Sequence, residues 1–227
     1  MMTLASQLKT LSLAVILLTV SGCALSPQRV TLETDIPDER SNIGGNAALT
    51  VDARDARDTP AFGTRGGVYP DTALILPDNN LDQLLSSSLT QAFQQRGFNA
   101  FNPTNGGAQL DVRLTTLDYI PSAGSVVNPV EINAVLDVTA KRQGDTLVRE
   151  YRHSVTHRQP FTPTAPQNHR MINGALNHLL SQLVNDPELL SFIGGTVADV
   201  DEADNGSALD VSPVPEASPL KPLSDDD

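Results

Sequence analysis

An uncharged, largely apolar run near the N-terminus, LSLAVILLTV at 11–20, most constrains how this 227-residue chain folds. Ten residues are too few to cross a bilayer, which needs about 20. The run follows Lys9 and precedes small residues, which is typical of a secretory signal that is removed from the mature protein. No twin-arginine pair precedes it, so the general secretory route is expected. Residues 1–22 are therefore predicted to be a signal peptide outside the fold.

Cys23, the only cysteine in the chain, follows this run after Val20, Ser21 and Gly22. These residues resemble the bacterial lipobox, in which small residues precede a cysteine that receives diacylglycerol on its thiol. The resemblance implies signal cleavage between Gly22 and Cys23, followed by addition of an acyl chain such as palmitate to the freed amine. One chain holds a protein to a membrane only marginally, whereas two or three hold it stably. A buried free cysteine and a cleaved, soluble secreted protein are the other two interpretations.

The residue after the cysteine bears on localisation. It is Ala24 rather than Asp, and in enterobacterial lipoproteins an Asp at this position favours retention in the inner membrane. By this resemblance the sequence predicts a lipid-anchored outer-membrane protein that faces the periplasm. The single cysteine also excludes an intramolecular disulfide and a Cys-rich zinc site.

Composition divides the mature chain into three segments. Residues 23–45 hold the cysteine and a polar stretch that ends in Gly-Gly, which predicts a flexible tether. Residues 46–193 carry 11 Lys/Arg and 14 Asp/Glu, and a segment of this length supports one self-sufficient core. Residues 194–227 carry nine acids, one base and four prolines, which predicts an acidic disordered tail. The overall excess of 12 acidic charges argues against nucleic-acid binding.

Hydrophobic periodicity within residues 46–193 predicts two helices and six strands. The first helix begins at the cap residue Asn80 and ends at Gly97. The second begins at the cap residue Thr164 and ends before Pro187, after which residues 187–192 add one further turn. Strands are predicted at 49–54, 73–76, 98–101, 110–116, 130–138 and 146–157. This order predicts a single α+β domain with two amphipathic helices packed on one face of a largely antiparallel sheet.

Several stretches resemble the YajG-type family of bacterial lipoproteins. Beside the lipobox, they are LTVDARDAR, LDQLLSSSLTQAFQQRGF, AQLDVRLTTLDY, the hairpin VEINAVLDVTAK/TLVREYRHSVTH and a final amphipathic helix that ends in PELLSFI. The resemblance covers residues 49–193 and the lipobox, and the acidic tail departs from it. It implies an outer-membrane lipoprotein that faces the periplasm and has no assigned catalysis.

No residue pattern in the sequence indicates catalysis or metal binding. Asp52, Asp55 and Asp58 alternate with arginines at a spacing that does not fit an EF-hand loop, so we expect a structural charge cluster. The four histidines are His153, His157, His169 and His178. The first two share a strand face about 13 Å apart, and the last two lie on opposite sides of a helix. Because a nucleophile elbow and a phosphate-binding loop are also absent, we predict no enzyme activity, no metal and no cofactor beyond the lipid on Cys23.

One region of the domain carries an excess of positive charge. The hairpin at 141–158 contains the cations Lys141, Arg142, Arg149, Arg152 and Arg158. We interpret them as a contact for anionic headgroups, glycan phosphates or an acidic partner segment. Charged side chains also protect a strand from edge pairing, which is the simpler interpretation.

Three functional hypotheses follow. The favoured one is a non-catalytic outer-membrane lipoprotein whose periplasmic domain binds another envelope component, either a protein or a lipid. The alternative is a small-ligand or lipid-binding lipoprotein, auxiliary to a transporter, with a groove between the helices and the sheet. The third is a periplasmic hydrolase, for which His153, His157 and Asp52 would be the residues to substitute.

Overall fold

A computed structural model of the chain describes residues 26–37, 39–66, 70–100, 107–122 and 128–195. The strands are β1 (Gln28–Val30), β2 (Leu49–Asp55), β3 (Gly63–Thr64), β4 (Leu74–Pro77), β5 (Ala108–Pro121), β6 (Asn128–Arg142) and β7 (Asp145–Gln159). The helices are α1 (Leu81–Gln95), α2 (Ala165–Val184) and α3 (Pro187–Gly194). The predicted signal peptide, Cys23 and all but the first two residues of the predicted tail lie outside the described residues.

The described strands form one seven-stranded sheet in the order β1-β4-β3-β5-β6-β7, with β2 pairing beside β5. The long strands β5, β6 and β7 are antiparallel neighbours and make up most of the sheet. The predicted α+β class and largely antiparallel sheet are therefore confirmed. The pairing of β2 parallel to β5 over the whole length of β2 was not predicted. The long connection between the two strands, which contains β3, β4 and α1, allows it.

Local signals place the helices close to their predicted positions. The Asn80 side chain accepts a hydrogen bond from the Gln83 backbone N–H, which caps α1. Thr164 and Gln167 form the predicted capping box of α2. α3 is longer than the predicted single turn, because Asp186 caps its start and Gly195 takes a left-handed conformation at its end.

The buried side chains of the helices and of the sheet form one core. Every second residue of β6 is buried, at 130, 132, 134, 136, 138 and 140. α1 packs against β2, α2 against β6 and β7, and α3 against β6, and their buried side chains join one cluster. These contacts do not confirm that the two long helices share one face of the sheet, which stays a prediction.

The predicted tether of residues 23–45 is wrong from Gln28 onward. β1 pairs with β4 at the sheet edge, and the side chains of Val30 and Leu32 are 1% exposed within the core. We call residues 28–36 the strap. The polar composition of this segment suggested flexibility. Two apolar side chains at alternate positions are nevertheless enough to dock the segment on the domain.

Side-chain amides bind the strap backbone beyond β1. Asn79 accepts from the Leu32 N–H and donates to the Leu32 carbonyl, both at 2.9 Å. The same residue therefore satisfies both backbone polar groups of Leu32, as a neighbouring strand would.

Two asparagines on α2 continue this pattern. Asn173 accepts from the Glu33 N–H at 2.8 Å and donates to the Thr31 carbonyl at 3.2 Å. Asn177, one turn further along the helix, accepts from the Asp35 N–H at 2.8 Å and donates to the Glu33 carbonyl at 3.2 Å. The strap thus lies along α2 with its backbone paired to a ladder of amides.

The predicted strand at 98–101 is reduced to a single bridge between Asn99 and Ala48. Phe98 is nevertheless buried and packs edge-on against Phe93, with ring centroids 5.8 Å apart. Phe101 lies outside the described residues.

Candidate functional site

The predicted basic hairpin is the pair of strands β6 and β7, whose cations are spread along its length. Lys141 pairs with Thr146 beside the tight turn, whereas Arg158 pairs with Pro129 at the other end. Thr146 and Arg158 are twelve positions apart on β7, which corresponds to about 40 Å. The five predicted contact residues therefore do not form one patch.

Arg149, near the middle of β7, binds acidic side chains at the start of α3. Its guanidinium pairs with Glu188 and lies 3.7 Å from the Asp186 carboxylate. The Tyr151 hydroxyl donates to the same Asp186 carboxylate at 2.6 Å. Burial, together with this hydrogen bond, raises the pKa of Tyr151 well above its usual value. The hairpin centre is thus a structural joint between β7 and α3.

Two further cations of the hairpin also have partners within the domain. Arg142 Nη1 lies 3.4 Å from the Phe192 carbonyl oxygen, at the end of α3. Arg152 pairs with Glu150 on the same strand, and this hydrogen bond lowers the pKa of the Glu150 carboxyl. The remaining cations of the predicted set are Lys141 and Arg158, which are both exposed.

The side of the sheet that faces away from the core carries a polar patch on β2, β5 and β6. Its rows in register are Thr50, Gln109 and Lys141; Asp52, Asp111 and Thr139; and Arg54, Arg113 and Asp137. We call these nine residues the open-face patch. Seven of them line an open groove of about 440 Å³.

Charges of both signs are organised around the centre of the open-face patch. The Asp111 carboxylate accepts from Arg113 Nε at 2.8 Å and from Arg54 Nη2 at 3.3 Å. Asp52 and Lys141 remain exposed on the outer strands, about 12 Å apart by strand spacing. Sequence reasoning missed this grouping, because it depends on the parallel pairing of β2 with β5.

Asp55 and Arg57 have the structural role expected of the Asp/Arg cluster. Arg57 Nε and Nη2 donate to the Asp55 carboxylate at 2.7 and 2.8 Å. The Arg57 guanidinium also lies 4.6 Å from the ring centroid of Phe62, which is a cation–π contact. Within the described residues, no group of three or more His, Cys, Asp or Glu side chains is arranged to hold a metal ion.

Two histidines that are distant in sequence meet between β7 and α2. The rings of His153 and His178 stack with centroids 4.1 Å apart. Burial lowers the pKa of His153, and the proximity of His178 and His157 lowers it further. This pair could not be predicted from the sequence, because His153 and His178 lie on different elements that meet only in the fold.

The three serines of α1 form hydrogen bonds, two of them to neighbouring elements. Ser86 donates to the Ala53 carbonyl of β2 at 2.9 Å, and Ser88 bonds the hydroxyl of Thr34 in the strap at 2.6 Å. Ser87 donates to the Gln83 carbonyl one turn earlier at 2.7 Å. Their hydroxyls are thus engaged in structural hydrogen bonds.

None of the helices in the described ranges combines the length and apolar character needed to cross a membrane.

The class of protein follows from comparison with known families. A family model described as an uncharacterised lipoprotein matches residues 34–194, so the chain belongs to this lipoprotein family. Membership associates the protein with the cell envelope. The resemblance to the YajG-type family is confirmed only as far as this lipoprotein membership, and no curated protein matches the chain significantly.

Solved structures give remote similarities. Protein XCC0632 from Xanthomonas campestris is 17% identical, covers 75% of this chain and 96% of its own, and has a TM-score of 0.42. A minor lipoprotein from Acinetobacter baumannii is 10% identical, covers 66% of this chain and 92% of its own, and has a TM-score of 0.32. A lipoprotein from Caulobacter crescentus is 10% identical, covers 64% and 92%, and has a TM-score of 0.34.

Proposed function

We propose that this chain is a non-catalytic outer-membrane lipoprotein, anchored through diacylglycerol and an acyl chain on Cys23, whose periplasmic domain binds another envelope component. The observation that carries the binding role is the open-face patch. It presents nine polar side chains in register on three strands, with Asp52 and Lys141 free to meet charges of a partner.

The shape of the patch favours a macromolecular partner. Its groove lies on an open sheet face and is lined by side chains of both charge signs. An envelope protein with a complementary polar segment matches it better than a small apolar ligand, which prefers an enclosed apolar cleft.

The alternative is a small-ligand or lipid-binding lipoprotein auxiliary to a transporter. It requires space between the helices and the sheet. The side chains in this interface are fully buried against one another; they include Leu85, Leu89, Phe93, Leu176, Leu179, Leu180 and Leu183. The described interior therefore favours the binding of a partner at the surface.

Site-directed photocrosslinking in cells tests the binding role. Benzoylphenylalanine is placed at Gln109 or at Lys141 in the patch, with Gln182 on the exposed side of α2 as the matched control. We expect one dominant crosslinked protein from both patch positions and none from the control. Crosslinks of equal yield from all three positions, or none from the patch, would contradict the role of the open-face patch. Native mass spectrometry that finds a co-purified lipid or ligand would instead support the alternative.

The anchor and its membrane are tested separately. We expect Cys23→Ser to move the protein from the membrane fraction to the soluble fraction, since the thiol that accepts diacylglycerol is lost. We expect Ala24→Asp to shift the protein from the outer to the inner membrane, with Ala24→Ser as the control. A Cys23→Ser variant that stays with the membrane would refute the lipid anchor.

A further inference from the structure

The end of the domain from which the membrane anchor departs is fixed by the strand register. One row of paired residues crosses the sheet through Gln28, Ile75, Gly63, Tyr119, Ile132 and Val155. β1 runs antiparallel to β5 through the intervening pairs of β4 and β3. The chain before Gln28 therefore leaves the sheet at the end where β5 and β7 finish and β6 begins.

Hydrogen bonds hold this exit point in place. The Gln28 amide donates to the Ala165 carbonyl at 3.4 Å and accepts from Asn168 Nδ2 at 3.0 Å, both in the first turn of α2. Arg65 donates to the Ser26 carbonyl. The chain is thus bound to the domain up to its third residue after Cys23.

Covalent geometry then limits how far the lipid can be from the domain. Ser26 is three positions after Cys23, so their Cα atoms are at most about 11 Å apart. This reach exceeds the depth of one headgroup layer, about 5–8 Å, by only a few ångström. A domain tethered this closely must rest its exit end near the lipid surface.

The same end presents side chains that suit a lipid surface. Phe161, between β7 and α2, is 79% exposed, and Ile120 at the end of β5 is 43% exposed. Arg158 on β7 and Arg170 in the second turn of α2 are exposed nearby. Aromatic side chains are favoured at the membrane interface, and cations are attracted to anionic headgroups. We call these four residues beside Ser26 the anchor end.

We propose that the anchor end lies on the phospholipid surface, with Phe161 inserted at the headgroup boundary and Arg158 and Arg170 against anionic headgroups. This inference rests on the proposed lipidation of Cys23. Its consequence is a fixed orientation. Gln109 and Arg113 of the open-face patch are ten and six positions from Tyr119 on β5, so the patch stands about 20–30 Å from the lipid surface, where a periplasmic partner can reach it.

The absence of tryptophan from the chain provides a clean test. Phe161→Trp and the control Val148→Trp each carry a single indole. Val148 is a matched position because it is 67% exposed and lies near the opposite end of β7. Each full-length, membrane-extracted protein is reconstituted into vesicles of phosphatidylethanolamine and phosphatidylglycerol, with or without brominated acyl chains.

We expect the indole at 161 to shift its emission to the blue and to lose most of its fluorescence to the brominated lipid. The indole at 148 should keep its emission wavelength and its fluorescence intensity. Equal quenching at the two positions, quenching at 148 alone, or no quenching at 161 would overturn the proposal. In the Phe161→Trp background, Arg158→Glu with Arg170→Glu should weaken the quenching, whereas Arg152→Glu should not.

The mass of the same protein separates this inference from the proposed anchor. A mass without diacylglycerol and an acyl chain refutes the lipid anchor. The unlipidated Phe161→Trp and Val148→Trp proteins are then mixed with the same vesicles. Selective quenching at 161 would retain the lipid-binding surface without the anchor, and its absence would overturn the surface as well.

Discussion

Asparagine side chains at three positions take the place of a neighbouring strand for the strap. An amide carries a donor and an acceptor in the spacing of a peptide group, so one side chain can satisfy an N–H and a carbonyl together. Asn173 does this with 8% of its surface exposed. In the sequence such a residue looks like an ordinary polar position on a helix, and only the docked strap reveals its role.

We predict that Asn173→Ala lowers the unfolding free energy by about 1–3 kcal/mol, because it removes two part-buried hydrogen bonds to the strap backbone, each worth about 0.5–1.5 kcal/mol. Asn173→Asp keeps the acceptor for the Glu33 N–H but loses the donor to the Thr31 carbonyl. Urea unfolding of the unlipidated protein measures both changes. Gln182→Ala, at an exposed position of the same helix, is the control and should change little. Equal stability of Asn173→Ala and the parent would show that the amide contacts do not hold the strap.

His153 gives the domain a dependence on pH. Its pKa in the folded protein is below the ordinary value of 6.5, owing to burial and to the nearby His178. As the pH falls below 6.5, the unfolded chain therefore binds more protons than the folded one. The stability that the neutral His153 contributes to the folded protein is present above pH 6.5 and is lost as the pH falls further.

We predict that the unfolding free energy of the parent decreases between pH 7.5 and pH 5, and that His153→Gln makes this decrease smaller. Urea unfolding at a series of pH values measures it. His169→Gln, which removes a histidine outside this pair, serves as the control. If His153→Gln and the parent show the same slope, the stacked pair does not govern the acid sensitivity.

At the scale of elements, the sequence predicted the features that depend on residues close together in the chain. The caps Asn80 and Thr164 and the alternation of β6 are readable along the chain, because each depends on neighbours within a few residues. The parallel pairing of β2 with β5 and the docking of the strap depend on contacts between distant segments. The open-face patch depends on that pairing, and so its members appeared in the sequence as two unrelated charge groups around Asp52 and Lys141.

The strap should behave as part of the core and not as a linker. We predict that Leu32→Ala lowers the unfolding free energy by about 2–5 kcal/mol, because it removes a side chain that is 1% exposed. Thr31→Ala, at the exposed neighbouring position, should stay within about 0.5 kcal/mol of the parent. Chemical denaturation of the two variants measures the difference. A Leu32→Ala protein as stable as Thr31→Ala would restore the interpretation of this segment as a free tether.

At the scale of the whole molecule, the buried residues of strap, sheet and helices form a single cluster. A single core of this size favours one cooperative transition. We predict that thermal unfolding followed by far-ultraviolet circular dichroism and by tyrosine fluorescence gives coincident curves, and that Leu32→Ala shifts both curves together. A separate early transition in this variant would mean that the strap melts independently of the sheet.

The position of the strap's partners also sets an order of events during biosynthesis. The strap is made before the rest of the domain, whereas the two α2 residues that bind it are made late. Asn173 lies 140 residues after Glu33, and Asn177 lies 142 residues after Asp35. Until α2 has been synthesised, the backbone beyond β1 lacks these partners. The strap beyond β1 therefore cannot complete its docking until α2 has been made, so a segment that is made early is fixed late.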